Sequence, residues 1–161
     1  MIKRIALLTL LVAPLWLSAQ VRTEKLLEKR WKFTREDNPE FKTSQFDDTK
    51  WQSVCIPHDW AIYGPFSINN DKQNTAIVQD AMEHAGRTGG LPFVGTGWYR
   101  LRFDVPEYTD GKKCTLVFDG AMSHARVYIN GKEAGYWPNG YNAFSIDASP
   151  FLKQGESNTL A

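Results

Sequence analysis

The 161 residues contain only two cysteines, Cys55 and Cys114, and no C-x-x-C pair. A structural zinc site needs ligands at short spacing, so none is expected. An excess of one charge is also missing, with 19 Lys and Arg against 18 Asp and Glu, scattered along the chain. Nucleic acids and anionic membrane surfaces are held by clustered positive charge, and neither is expected as a partner. There is no G-x-S-x-G turn, P-loop, dinucleotide glycine fingerprint or H-E-x-x-H helix, and no cofactor is expected. No apolar run approaches the ~20 residues that span a bilayer. Beyond residue 19, no amphipathic stretch reaches the ~12 residues of a self-sustaining helix.

The longest apolar run, residues 5–17, follows Lys3 and Arg4 and leads into Ser18 and Ala19. A positive start, a short apolar core and small residues at its end are the parts of a secretory leader. Residues 1–19 are therefore expected to be a signal peptide and residues 20–161 a single exported domain, periplasmic or secreted. Losing Lys3 and Arg4 takes the formal net charge from +1 to −1. No Cys follows the run, so no lipid anchor is expected. Export permits a disulfide, yet both cysteines sit in apolar strand-like runs where Cys acts as a small buried hydrophobe. Two unpaired buried thiols are expected over a disulfide.

Aromatic residues are 13% of the chain, with six Trp, which leans toward an all-β core or an aromatic-lined surface. Over residues 98–105, Tyr99, Leu101, Phe103 and Val105 alternate with Trp98, Arg100, Arg102 and Asp104. This period of two predicts a strand with one buried face. Leu116 and Phe118 alternate with Thr115 and Val117, and Val127 and Ile129 with Arg126 and Tyr128. Asn130-Gly131 then supplies two residues tolerant of positive φ, a tight hairpin turn returning through residues 132–136. Shorter strands are expected at 31–34, 51–56 and 144–146, and a single helical turn from Ser149-Pro150. Residues 61–96 form a long polar, Gly-rich segment, with at most a short helix at 76–85. Residues 158–161 read as the opening of a strand with nothing after it; a sandwich lacking its last strand would expose an unpaired edge, which natural sheets avoid, so the chain is expected to be a fragment that lacks its last strand or strands. Many short strands without intervening helices predict a β-sandwich or barrel.

Glycoside hydrolysis needs two facing carboxylates. Asp47, Asp48, Asp59, Asp80, Glu83, Asp119 and Asp147 are candidates, mostly at turns and strand ends where Asp bonds the local backbone, and no internal pair is expected. His58-Asp59 invites a triad reading with Ser53, Ser67 or Ser123; a brace after Pro57 is the expected role. His84 and His124 stand isolated. Sugars offer an apolar face and a hydroxyl rim, so aromatics beside Asp or Asn in loops suit them. Asp59, Trp60, Trp137, Asn139 and Tyr141 are the candidate carbohydrate-binding residues, with end-capping or packing on a neighbouring domain the alternative for each aromatic.

These pieces come in a particular order. Phe46-Asp47-Asp48-Thr49-Lys50-Trp51 precedes Ile56-Pro57-His58-Asp59-Trp60, then Gly97-Trp98-Tyr99-Arg100, then Phe118-Asp119-Gly120. Val127-Tyr128-Ile129-Asn130-Gly131-Lys132, Gly135-Tyr136, Asn139-Gly140-Tyr141, Phe144 and Asp147 follow, and Gly155 and Asn158 close the set. The set resembles the N-terminal sugar-binding domain of glycoside hydrolase family 2, especially its bacterial β-galactosidases, over essentially the whole of the chain beyond the leader. The resemblance implies a jelly-roll β-sandwich of the galactose-binding type, non-catalytic, followed by immunoglobulin-like and TIM-barrel domains. The barrel would carry two catalytic glutamates beyond Ala161 and cleave a β-linked saccharide with retention. The first domain would lend loops to the barrel's rim. The chain departs from the family twice. Asn139 stands where some members place an acidic residue, and Val94 stands where some place an Asn that reaches the sugar. A standalone carbohydrate-binding module and a pure scaffold are the rival readings.

Trp98→Ala deletes a bulky strand residue, a change that costs about 3–5 kcal/mol in cores. It is expected to melt well below Asn139→Ala, as followed by circular dichroism; equal melting temperatures would overturn the strand assignment.

Overall fold

The computed structural model describes residues 22–67, 70, 93–107 and 112–161. The expected leader at 1–19, the candidate helix at 76–85, and Asp80, Glu83 and His84 lie outside them. Eight strands are described: β1 (Trp31–Thr34), β2 (Gln52–Val54), β3 (Trp98–Asp104), β4 (Thr115–Phe118), β5 (Ala125–Ile129), β6 (Lys132–Trp137), β7 (Phe144–Asp147) and β8 (Ser157–Leu160). They form an antiparallel six-stranded sheet, ordered β2-β1-β3-β8-β5-β6, and a two-stranded sheet, β4-β7. The fold is an all-β sandwich, as the strand pattern predicts.

The alternating residues meet between the sheets. Trp31, Phe33, Leu101, Phe103, Val127, Ile129 and Leu160 line the large sheet's inner face and Phe144 lies opposite, all buried. Leu116, Phe118 and Ile146 add the rest of the small sheet's inner side. Phe144 stacks on Phe118 at 4.6 Å and on Trp137 of β6 at 5.5 Å, joining the two layers. Leu27, Ile56 and Trp60 cover the β1–β3 end of the face. Gly97 permits this: a Cβ there would stand 3.1 Å from Phe33 and 3.2 Å from Trp60. Asn130 and Gly131 adopt φ of +51° and +85° in the β5–β6 turn, the left-handed pair their sequence predicts. Ser149–Phe151 makes the expected single turn, with Pro150 in its first positions.

Two expectations are corrected, and the strand expected from residue 158 is present as β8. β8 is central, pairing with β3 along Leu101↔Leu160 to Asp104↔Ser157 and with β5 through Ile129↔Leu160. Asn158, Thr159 and Leu160 are buried there. Cys55 is exposed rather than buried, because β2 ends with Val54 turned inward and the next side chain faces out; Cys114 is half-buried, and both thiols are free. β3 is not simply solvated on its second face: Arg100 is buried there, while Arg102 and Asp104 remain exposed.

Residues 35–51 cover that second face at Trp98 and Arg100. Phe41 packs edge-on against Phe46, Trp51 and Trp98 at 4.7–5.7 Å, and Trp98 stacks on Tyr128 of β5 at 5.8 Å. Beneath this aromatic layer lies Arg100, 0% exposed. Its Nε donates to Asp48 Oδ2 at 2.9 Å, one Nη donates to the Phe41 carbonyl, and its guanidinium lies 5.6 Å from the Phe46 ring centre. Arg102 donates to Asp48 Oδ1 at 3.1 Å and to the Phe46 carbonyl at 3.2 Å. One buried carboxylate thus bridges two cations and ties the loop to the strand.

Deleting one partner of a buried ion pair leaves the other charge uncompensated, at a cost of about 3–5 kcal/mol. Asp48→Ala is expected to lose stability on that scale. The neighbouring Asp47→Ala, which removes only a 3.0 Å bond to the Thr49 N–H, is expected to lose about 1 kcal/mol. Urea midpoints of the two variants measure the difference; equal losses would show that the buried pair does not hold the loop.

Candidate functional site

The register defines one end of the sandwich. Leu160 pairs with both Leu101 and Ile129, so β3 and β5 begin on the same side of that rung. Ala125 pairs with Trp137 and Phe118 with Phe144, which brings the loops at 119–124 and 138–143 to that end. Trp60, against Phe33 at 5.8 Å, Phe93 at 5.8 Å and the Arg35 guanidinium at 5.7 Å, lies at the same end.

All five candidate sugar residues therefore share one end, in two groups. Asp59 is exposed, and its Oδ1 accepts the Ala61 N–H at 3.1 Å, bracing the turn that carries Trp60. Trp60 is half-buried against the core and its indole face is shared with Arg35. Trp137 closes β6 rather than lying in a loop; it is stacked on Phe144, and its Nε1 is buried without a hydrogen-bond partner among the described residues. Asn139 is exposed, with Oδ1 accepting the Tyr141 N–H at 2.8 Å. This bond turns the chain so that Tyr141 stands 92% exposed. Ser123, Pro138, Asn139, Gly140 and Tyr141 line a shallow groove. Strand β8 separates β3 from β5, and among the described residues no hydrogen bond or ring contact joins Asp59 or Trp60 to Asn139 or Tyr141. Tyr141 is the one of the five that presents an open aromatic face.

His58 is not part of a triad. Its Nδ1 lies 2.9 Å from the Tyr99 hydroxyl, which is also 3.3 Å from the His58 carbonyl, and Phe33 packs edge-on against the imidazole at 4.9 Å. Ser53 instead accepts from Lys32 at 2.9 Å. Asp47 and Asp147 turn their carboxylates onto the N–H groups of Thr49 and Ser149, and these residues hold both carboxyls below the usual range. Asp48 is committed to Arg100 and Arg102. Among the described residues no two of the candidate carboxylates face each other through a bond network, and no three His, Cys, Asp or Glu cluster as metal ligands. Sequence reasoning missed Arg100, because strand alternation alone assigns it to solvent. The signal available was the aromatic set Phe41, Phe46 and Trp51 flanking Asp48, too apolar for a segment left in water.

Comparison with known proteins agrees with this geometry. The family model for glycosyl hydrolases family 2, sugar binding domain, matches residues 24–161. β-Galactosidase BoGH2A of Bacteroides ovatus is 37% identical over 131 residues, 81% of this chain and 14% of that protein. A putative β-glucuronidase of Formosa agariphila is 31% identical over 96% of this chain, again 14% of its own length. Among solved structures, a family 2 glycosyl hydrolase from Bacteroides cellulosilyticus superposes with a TM-score of 0.71 at 26% identity, covering 84% of this chain and 17% of that one. Bacteroides uniformis β-glucuronidase 2 superposes with a TM-score of 0.64 at 30% identity, covering 84% and 14%. The chain belongs to the family 2 glycosyl hydrolase sugar-binding domains, and it spans about one-seventh of the length of the curated relatives it matches.

Tyr99 offers a test of the brace at this end. Burial, then the charge of Asp59, pushes its hydroxyl up to about 12 from an ordinary 10.0. The folded chain keeps this proton longer than the unfolded chain. The contribution is therefore intact below pH 10 and lost as pH rises toward 12. Stability by urea unfolding is expected to fall across that window, less steeply in Tyr99→Phe; an unchanged slope in the variant would refute the assignment.

Proposed function

We propose that this chain is the exported, non-catalytic N-terminal domain of a retaining β-glycosidase of β-galactosidase type. Its loops at 119–124 and 138–143 help form the rim of an active site carried by further domains. Those domains are an immunoglobulin-like unit and a TIM barrel with two carboxylates about 5–5.5 Å apart, the separation that retention requires. Residues 1–19 direct export to the periplasm or beyond.

The observation that carries this reading is the tip at Asn139 and Tyr141. A solvated aromatic held out by its own turn loses apolar contact unless a partner covers it, and a pyranose or a neighbouring domain does so. The committed carboxylates at 47, 48, 59 and 147 support a non-catalytic role. The short span relative to the relatives supports further domains in the parent. A uronide substrate is the second reading, favoured by the relatives named β-glucuronidases.

The 20–161 chain alone is expected not to hydrolyse chromogenic β-galactosides or β-glucuronides, and turnover by it would overturn the proposal. In the intact parent enzyme, Tyr141→Ala is expected to raise KM severalfold, on the scale of one aromatic contact of about 0.5–1.5 kcal/mol. The two chromogenic substrates tested side by side decide between galactoside and uronide.

A further inference from the structure

The chain contains two Asn-Gly pairs, Asn130-Gly131 and Asn139-Gly140, and the fold treats their side-chain amides in opposite ways. In such a pair the glycine nitrogen is the least hindered backbone nucleophile for the preceding side-chain carbonyl, because glycine has no Cβ and the widest backbone freedom. Whether the reaction proceeds depends on how far the amide can move and on what stabilises the oxygen as the nitrogen adds.

Asn130 is clamped. Its Nδ2 donates to the Phe151 carbonyl at 2.9 Å and to Asn158 Oδ1 at 2.8 Å, and its Oδ1 accepts the Thr159 N–H at 3.0 Å. Asn158 is itself buried and held by the Lys153 and Glu156 backbones. The amide is half-buried in the turn between two paired strands. Asn139 is held at its oxygen only. It is exposed, and its Nδ2 has no acceptor among the described residues. Its Oδ1 accepts the Tyr141 N–H at 2.8 Å. That donor faces the oxygen on which negative charge develops when a nitrogen adds to Cγ, the arrangement that lowers the barrier of acyl transfer.

We propose that Asn139 is a site of spontaneous deamidation in the folded protein and that Asn130 is protected. The Gly140 nitrogen gives its proton to solvent base and bonds to Cγ of Asn139. The Cγ–Nδ2 bond breaks and the nitrogen leaves as ammonia. Water then opens the resulting succinimide at either carbonyl, leaving aspartate or isoaspartate at this position, with no change in oxidation state. The tip gains one negative charge beside Tyr141, and the isoaspartate form lengthens the main chain under it by one carbon. The protein thus matures into forms with different charge and shape at a tip that is neutral when made. The inference stands on the two hydrogen-bond environments alone and does not depend on the saccharide reading.

The test is to hold the intact protein at mildly alkaline pH and body temperature, digest it in acid, and follow both Asn-Gly peptides by mass spectrometry. Protein-isoaspartate methyltransferase labelling scores the isoaspartate form. A parallel sample is kept unfolded in guanidinium. The Asn139 peptide is expected to convert in the folded sample while the Asn130 peptide lags on the order of a hundredfold, the factor set by breaking several hydrogen bonds before reaction. In guanidinium the two rates are expected to converge, and Asn139→Gln is expected to abolish isoaspartate labelling of the folded protein. Equal rates in the folded sample, faster conversion of Asn130, or an Asn139 peptide unchanged when folded but reactive when unfolded would each overturn the proposal.

Discussion

A guanidinium with no access to water must have a carboxylate, and the architecture is arranged around meeting that demand. Arg100 lies in the middle of the third strand, and the carboxylate comes from Asp48, distant in sequence. Drawing Asp48 onto the sheet brings the 35–51 segment with it, and Phe41, Phe46 and Trp51 then close over the strand. Such a pair is weak evidence for stability, since an apolar replacement of equal volume can be as stable. Its evident consequence is positional: one carboxylate bonded to two arginines fixes where the segment crosses the sheet. The motif Phe46-Asp47-Asp48-Thr49-Lys50-Trp51 thereby acquires a physical meaning for each main member. Phe46 faces the cation, Asp47 shapes the turn, Asp48 is the counterion, and Trp51 seals the layer.

The candidate sugar residues gather at one end of the sandwich. There the side chains divide by environment. Trp60 and Trp137 spend their faces on the core, whereas Tyr141 spends nothing. The same residue type shows the same division: Asn130 and Asn158 bond every part of their amides to lock the last strand onto the fifth, while Asn139 uses only its oxygen, to set a turn. The carboxylates of Asp47, Asp48, Asp59 and Asp147 are committed to local structure, whereas the tip at Asn139 and Tyr141 stands open.

Much of the strand pattern was legible because each of these strands has an apolar inner face. Alternation at Tyr99, Leu101 and Phe103, at Leu116 and Phe118, and at Val127 and Ile129 marks residues that face inward. The turn at Asn130-Gly131 was legible because few other pairs tolerate its two positive φ values. The burial of Arg100 was not, because alternation gives a face and not what covers it. The core position of Trp60 and Trp137 was equally hidden, since an indole beside a polar residue reads the same at a binding platform as at the end of a core.

By itself, the sequence determined the fold class, the tight turns and the family pattern, because each depends on residues near one another in the chain. Tertiary structure alone decided that the last four-residue strand is central rather than an edge, that Asp48 belongs to Arg100, that Cys55 faces outward, and which of two identical Asn-Gly pairs is clamped. Each of those depends on which strand lies beside which. Strand order in an antiparallel sandwich is set by long-range pairing, and local periodicity carries no record of it.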